Sequence, residues 1–486
     1  MQARRPFTVP LERYVILPAL IAGFALACLN YMSDTRLPNM AYLAFALLQL
    51  GVVALQVFRR NLLTATMGLC LTLILLFAVV LERAPFKDFD YGMTHVVYRA
   101  GLISTSYAVL LASTCLYHVV TLRFVPDRSW IWQPADLAER SFGKATTWAF
   151  LIVGNLLLAV TIPGDFITNV SYGTAAYYDR SGFAAGNGGV ALLGCLLVTF
   201  TVVSASRLYG FDSTRFKIAC FLALASMMYF RILRGSRGGA IGLFATFAFL
   251  YYMNSKLRPW KRTVVLVSAS ALVLLVFNLL AEVRATAHRA GFAVAFDRSV
   301  SSSFTLLDHP MQLNLLPQMY WHLLHCVDLY QMNVRLNGQT FVDLLPEAIP
   351  EDVSKFLGIA RPISASWRLA AYRIHGGGMF VIAEGFWNFG FPGALFVAGV
   401  LALIAMKLEH WYREQEPILS CSYFAFLGTF GFGLYYGLQG FARAFEMSLV
   451  LALTMRFFMK YFRRRVERRR RLLVSMAEAG IPIAGR

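Results

Sequence analysis

Residues 61–81 read NLLTATMGLCLTLILLFAVVL, a stretch of aliphatic and small side chains with no charged residue. A helix needs about 20 such residues to cross the hydrocarbon core of a bilayer. Runs of this kind recur along the whole chain. We therefore predict an all-α polytopic integral membrane protein with about twelve transmembrane helices. The predicted spans are 14–32, 39–58, 61–81, 96–122, 145–162, 187–206, 217–233, 239–254, 263–281, 386–406, 418–437 and 444–461.

The composition agrees with this prediction. Hydrophobic residues make up 58% of the chain and charged residues only 15%, well away from the averages of soluble domains. The formal charge of +19 does not indicate nucleic-acid binding, because the basic residues are spread over the loops between spans. Their densest run, Arg463 to Arg471, directly follows a predicted span, as the positive-inside rule expects for a cytoplasmic segment.

The distribution of Lys and Arg predicts that both chain ends are cytoplasmic. We read the first apolar run as a retained span, since no convincing cleavage site follows it. The predicted organisation is nine spans in 1–281, an extracytoplasmic loop of about 100 residues in 282–385, three spans in 386–461 and a basic cytoplasmic tail in 462–486. The loop should be mainly helical, because apolar residues recur every three or four positions over 311–333.

The stretch MFVIAEGFWNFGFPGALF, residues 379–396, interrupts this plan. Pro392 lacks a backbone donor and clashes with the preceding turn of a helix. We therefore predict a short helix over 379–389 and a span that begins near Gly393 and runs toward Trp411. Irregular backbone at membrane depth persists only where protein covers it or a wet cavity adjoins it.

Basic side chains are the first candidate for chemistry. Arg234-Gly235-Ser236-Arg237-Gly238-Gly239 forms a short outer turn in which guanidinium groups and open backbone N–H groups suit phosphate oxygens. The alternative is a turn whose arginines extend to the membrane interface. Arg443 lies in the last outer turn, where an ion pair with Glu446 is the alternative. The long loop adds a basic outer face through Arg284, Arg289, Arg368 and Arg373.

Glu384 and Asn388 are the second candidate. They lie four residues apart and so share one helical face. The carboxylate of Glu384 could act as a general base, or it could form an ion pair with an arginine from another helix. His322 and His325 are spaced to share a metal ion, but no acidic ligand accompanies them. We therefore expect no metal and no other cofactor.

The order of these motifs resembles the Wzy type of oligosaccharide repeat-unit polymerase, the O-antigen polymerase class of the bacterial inner membrane. The resemblance rests on the S-R-G turn, the stretch NGQTFVDLLPEAIPEDV at 337–353 and GGGMFVIAEGFWNFGFPGALF at 376–396. The family pattern is matched by Gly377, Gly378, Ala383, Glu384, Phe386, Asn388, Phe389, Gly390 and Gly393. The related O-antigen ligases usually place His-Asn where this chain has Met379-Phe380, which favours the polymerase.

The resemblance implies a metal-independent glycosyltransferase at the outer face of the inner membrane. Its substrate would be an undecaprenyl-diphosphate-linked oligosaccharide in the lipid bilayer, and a chain-length-regulating co-polymerase is an expected partner. Glu384, or else His375, would accept the hydroxyl proton. Arg237 would bind the diphosphate with Arg234 and Arg443, while Arg284, Arg289, Arg373 and Asn388 are further expected binding residues. The alternatives are an O-antigen-ligase-type transferase, a lipid-linked oligosaccharide transporter and a scaffold subunit of an export system.

Overall fold

The computed structural model describes residues 12–33, 35, 37–59, 61–81, 100–124, 137–160, 188–233, 315–347, 357–360, 362–363, 365–372, 378–413, 434 and 437–478, with scattered residues between 243 and 268. These parts of the chain are mostly helical and contain no strand. After a π-helical turn at Glu12–Ile16, the helices are α1 Leu17–Ser33, α2 Asn39–Phe58, α3 Leu62–Leu81, α4 Ala100–Phe124, α5 Leu137–Val160, α6 Gly188–Tyr209, α7 Thr214–Leu233, α8 Leu315–Gln331, α9 Gln339–Glu347, α10 Ala365–Ala370, α11 Val381–Arg413 and α12 Gly437–Glu478.

Five segments of the described chain are long and apolar enough to cross a membrane: Tyr14–Ser33, Asn39–Val57, Leu62–Val79, Gly101–Arg123 and Val381–His410. Two shorter apolar helices cover Thr147–Val160 and Leu193–Ser206. The prediction of an all-helical, multi-pass membrane protein is thus confirmed at this level. The predicted spans 239–254, 263–281 and 418–437 lie largely outside the described residues. The number twelve, the orientation and the boundaries of the long loop stay predictions.

Helix α8 confirms the helical periodicity expected at 311–333. Its predicted apolar residues Met319, Leu323 and Val327 are buried. The helix packs against α3, α4 and α11, so its side chains belong to the same hydrophobic core as those candidate spans. This part of the predicted loop therefore helps to position α11.

Helix α11 is broken where the sequence predicts a break. Phe389 has φ −132° and ψ 16°, and Gly390 has φ +65° and ψ −147°, so a first half ending at Asn388 is followed by a second that runs to Arg413. The two halves approach each other so closely that a Cβ on Gly393 would collide with the carbonyl oxygen of Gly385. Glycine at both positions allows this contact, and Pro392 falls in the first turn of the second half, where proline is tolerated.

Candidate functional site at the break of α11

Glu384 lies in the first half of α11 and is 1% exposed. Its Oε2 accepts a hydrogen bond of 2.7 Å from the backbone N–H of Leu438, in the first turn of α12. The first N–H groups of a helix have no partner within the helix, and they form the positive end of its dipole. The carboxylate therefore satisfies a buried donor and connects α11 to α12.

Gly437, just before Leu438, makes this close approach possible. Its φ is +75°, and a Cβ at this position would collide with the carboxylate of Glu384. A residue with a side chain would be strained by the left-handed backbone and would also displace the carboxylate. The carboxylate of Glu384 can therefore lie this close to the start of α12 because residue 437 is a glycine.

Asn388, one turn after Glu384, links this carboxylate to α9. Its Nδ2 donates to the backbone oxygen of Glu384 at 2.8 Å and to the hydroxyl of Thr340 at 2.7 Å. The hydroxyl of Thr340 also lies close to the carboxylate of Glu384. The Oδ1 of Asn388 is buried and accepts no hydrogen bond from the described residues. An acceptor left open in a buried place has a cost that a bound donor would remove.

The two stretches that carry the family resemblance meet at this point. The backbone oxygen of Trp387 accepts from Leu336 N–H at 3.2 Å, and its indole Nε1 donates to the carbonyl oxygen of Val334 at 2.8 Å. The rings of Phe341 and Phe389 lie with centroids 5.5 Å apart. The segment that leads into and forms α9 therefore packs directly on the first half of α11 and its break.

Arg368 of α10 is partly exposed and binds polar groups of α9, the helix that carries Thr340. Its Nη2 lies 3.0 Å from Oδ2 of Asp343, its Nη1 donates to Oε1 of Gln339 at 3.1 Å, and its Nε donates to the carbonyl oxygen of Ile363 at 2.9 Å. By its sequence Arg368 is only one of the basic residues of the loop, and Asp343 has no predicted role. The spacing of Gln339 and Asp343, four apart on one helical face, was the available signal.

The predicted site residues fall into two groups. Glu384 and Asn388 are brought together with Thr340, and Arg443 lies in the second turn of α12, the helix that Glu384 contacts at its start. The others lie outside the described residues and stay predictions: Arg234, Arg237, Arg284, Arg289, Arg373 and His375.

The histidine pair of α8 is buried in the helical core. Burial lowers the pKa of His322 to about 3, with His325 adding to the effect, and burial lowers the pKa of His325 to about 4. Both imidazoles are therefore neutral at physiological pH. The indole of Trp321 stacks on the ring of His325, with centroids 5.9 Å apart. Within the described part of the chain, no group of three or more His, Cys, Asp or Glu is placed to hold a metal ion.

Fold and site together define the protein's class as a helical, multi-pass membrane protein with a buried carboxylate–amide–hydroxyl centre at a helix break. Comparison with protein-family models, with curated proteins and with solved structures finds no match to this chain.

Proposed function

We propose that this protein is a membrane glycosyltransferase that polymerises undecaprenyl-diphosphate-linked oligosaccharide repeat units at the outer face of the bacterial inner membrane. The product would be a surface polysaccharide such as an O-antigen or an exopolysaccharide. The observation that carries the proposal is the contact between the two stretches of the family resemblance. They lie about 50 residues apart in sequence, yet Asn388 bonds Thr340 directly, beside the carboxylate of Glu384.

The proposed reaction joins two lipid-linked glycans. A hydroxyl oxygen of the incoming unit forms a bond to the anomeric carbon of the growing chain, and the bond from that carbon to the diphosphate oxygen breaks. Undecaprenyl diphosphate leaves with the bonding electron pair, and the hydroxyl proton passes to a base. A carboxylate and preorganised cations are the protein groups that this step requires.

Glu384 supports the role of base through its position. A carboxylate has about four lone-pair sites, so the bond from Leu438 leaves others to accept a proton. The start of α12 places the positive end of its helix dipole against this carboxylate. The open Oδ1 of Asn388 offers an acceptor for a sugar hydroxyl one helical turn away.

The cations in this proposal are arginines. Arg443 lies in the second turn of α12, five residues after Leu438, whose backbone N–H bonds Glu384. Arg237 and Arg234 would bind the diphosphate of the donor from the predicted outer turn, and guanidinium groups suit such bidentate contacts. No metal is needed in this scheme.

The experiment is glycan ladder formation by purified protein given lipid-linked repeat units. We expect the wild type to build a ladder of repeats on one carrier and Arg237→Ala to lose at least about 100-fold in rate, as for loss of a transition-state charge contact. The matched control is Arg215→Ala at the start of α7, an exposed arginine on the predicted cytoplasmic side, which should retain the wild-type rate.

Each other outcome contradicts a defined part of the proposal. Transfer of a preformed glycan to a different acceptor, without a ladder, would indicate a ligase. Movement of the lipid-linked unit across vesicles without any new glycosidic bond would indicate a transporter. A ladder that Arg237→Ala leaves intact would keep the polymerase and reject the diphosphate role of that arginine.

A further inference from the structure

Helix α12 is much longer than a membrane is thick. It runs from Gly437 to Glu478, 42 residues, which at 1.5 Å per residue is about 63 Å. The hydrocarbon core of a bilayer is about 30 Å thick. The basic segment after the predicted span 444–461 is therefore a continuation of the same helix, and its side chains keep a fixed angular relation to those of the span.

One face of α12 is exposed and apolar within the predicted span. Val450, Leu453, Phe457 and Tyr461 recur at spacings of three and four, which places them in one stripe. They are exposed by 63%, 51%, 71% and 56%, respectively, so the stripe faces away from the protein core. Four large exposed hydrophobic side chains in line indicate contact with an apolar surrounding.

The same stripe becomes basic directly after Tyr461. Arg464, Arg468 and Arg471 continue the spacing of three and four on the same face, and all three are exposed. The change of chemistry occurs at an aromatic residue, and tyrosine is enriched at the boundary between hydrocarbon and headgroups. The stripe is thus apolar along one length, amphipathic at one residue and cationic beyond it.

These lengths match one leaflet of a bilayer. Tyr461 lies eleven residues after Val450, which is about 16 Å along the helix axis. This is close to half of the hydrocarbon thickness of about 30 Å. Arg464 lies about 4.5 Å and Arg468 about 10 Å beyond Tyr461, within reach of the headgroup layer of one leaflet, and Arg471 lies about 4.5 Å further along the helix. An upright α12 would therefore present its aliphatic and aromatic residues to the acyl chains and its arginines to the phosphates.

We propose that this face of α12, the stripe Val450, Leu453, Phe457, Tyr461, Arg464, Arg468 and Arg471, is a binding site for anionic phospholipid. Guanidinium groups bind phosphate oxygens in bidentate fashion, and a basic segment next to a span is attracted to anionic leaflets. An acidic protein or a nucleic acid matches the arginines but not the apolar half of the stripe. This inference does not depend on the glycosyltransferase proposal.

The test uses the full-length protein in a neutral detergent, with phosphatidylglycerol and phosphatidylcholine of identical acyl chains added in equal amounts. Native mass spectrometry counts the molecules of each lipid that stay bound. We expect the wild type to retain phosphatidylglycerol severalfold more than phosphatidylcholine, and the preference to fall with rising salt. The variant Arg464→Gln/Arg468→Gln should lose most of this preference while still binding both lipids through the apolar half.

The control variant Arg215→Gln/Lys217→Gln removes the same number of positive charges from exposed positions of α7 and should keep the preference. Melting temperatures of both variants verify that they are folded. Equal retention of the two lipids by the wild type would overturn the proposal and favour an acidic macromolecule as the partner of the arginines. A preference lost equally in both double variants would overturn it too, because net charge rather than the stripe would then be its cause.

Discussion

Helix α11 carries a buried carboxylate near each end, and the two differ in what surrounds them. Glu409 is fully buried, and its Oε1 accepts the backbone N–H groups of Leu63 and Thr64, at 2.8 and 3.2 Å, in the first turn of α3. Glu384 does the same for Leu438 in the first turn of α12. Each carboxylate supplies an acceptor at the positive end of a neighbouring helix.

The surroundings of the two carboxylates indicate a structural contact at Glu409 and a candidate site at Glu384. Glu409 lies in a regular part of α11 and faces a regular helix start. Around Glu384 the backbone is irregular, with a positive φ at Gly390 and at Gly437 and a break in α11. Irregular backbone of this kind concentrates where a protein binds or reacts, so the comparison favours the Glu384 end.

Exchanging each carboxylate for its amide gives the largest expected difference. In Glu384→Gln the amide still accepts the Leu438 N–H but cannot take a proton, so we expect ladder formation to slow by about 100-fold or more. Glu409→Gln makes the same chemical change at the other end and should keep the ladder. Both variants should lose a similar free energy of unfolding, up to about 2 kcal/mol, from the missing charge–dipole interaction.

The measurement is the rate of ladder formation set against thermal unfolding in detergent. A Glu384→Gln protein that retains the wild-type rate would make Glu384 a contact of the same kind as Glu409, and the base would have to be sought at His375.

A methyl group on Gly437 tests the close approach of α12 to the Glu384 end. Gly437→Ala combines a left-handed backbone with a collision against the carboxylate, and we expect a loss of about 1–3 kcal/mol in the free energy of unfolding. Gly399→Ala is the control, because Gly399 is helical and a Cβ there meets nothing within 4 Å. That control should leave stability unchanged or raise it by up to about 1 kcal/mol. Equal unfolding curves for the two variants would contradict the close approach of Gly437 to the carboxylate of Glu384.

Removing one hydroxyl gives the smallest expected effect. Thr340→Val deletes the acceptor of the Asn388 bond, so we expect a loss of about 1 kcal/mol in unfolding free energy and a severalfold slower ladder. The control is Thr199→Val, whose buried hydroxyl bonds only the carbonyl oxygen of Cys195 in its own helix in the described contacts. It should show a similar change in stability and no change in rate. If ladder formation slowed equally in both variants, the cause would be a general change in helix packing and not the loss of the Asn388–Thr340 bond.

The positions of several helices and of the break in α11 could be predicted from the sequence, because they depend on residues that are close together along the chain. Apolar runs of membrane-spanning length predicted α1 to α4, and a spacing of three and four predicted α8 within the long loop. Pro392 beside Gly390 and Gly393 predicted the break of α11, since proline and glycine act on the backbone wherever they stand.

The partners of the site could not be read in this way. Glu384 was expected to act as a base or to pair with an arginine, and its bond to Leu438 exists because α12 begins against α11. Asn388 meets Thr340, and Arg368 meets Asp343, across segments far apart in sequence. Spacing along one helix determines which side chains share a face, whereas contact between helices depends on how their backbones pack. Apolar periodicity and backbone breaks were therefore set by the residues themselves, and the meeting of carboxylate, amide and hydroxyl was decided by packing.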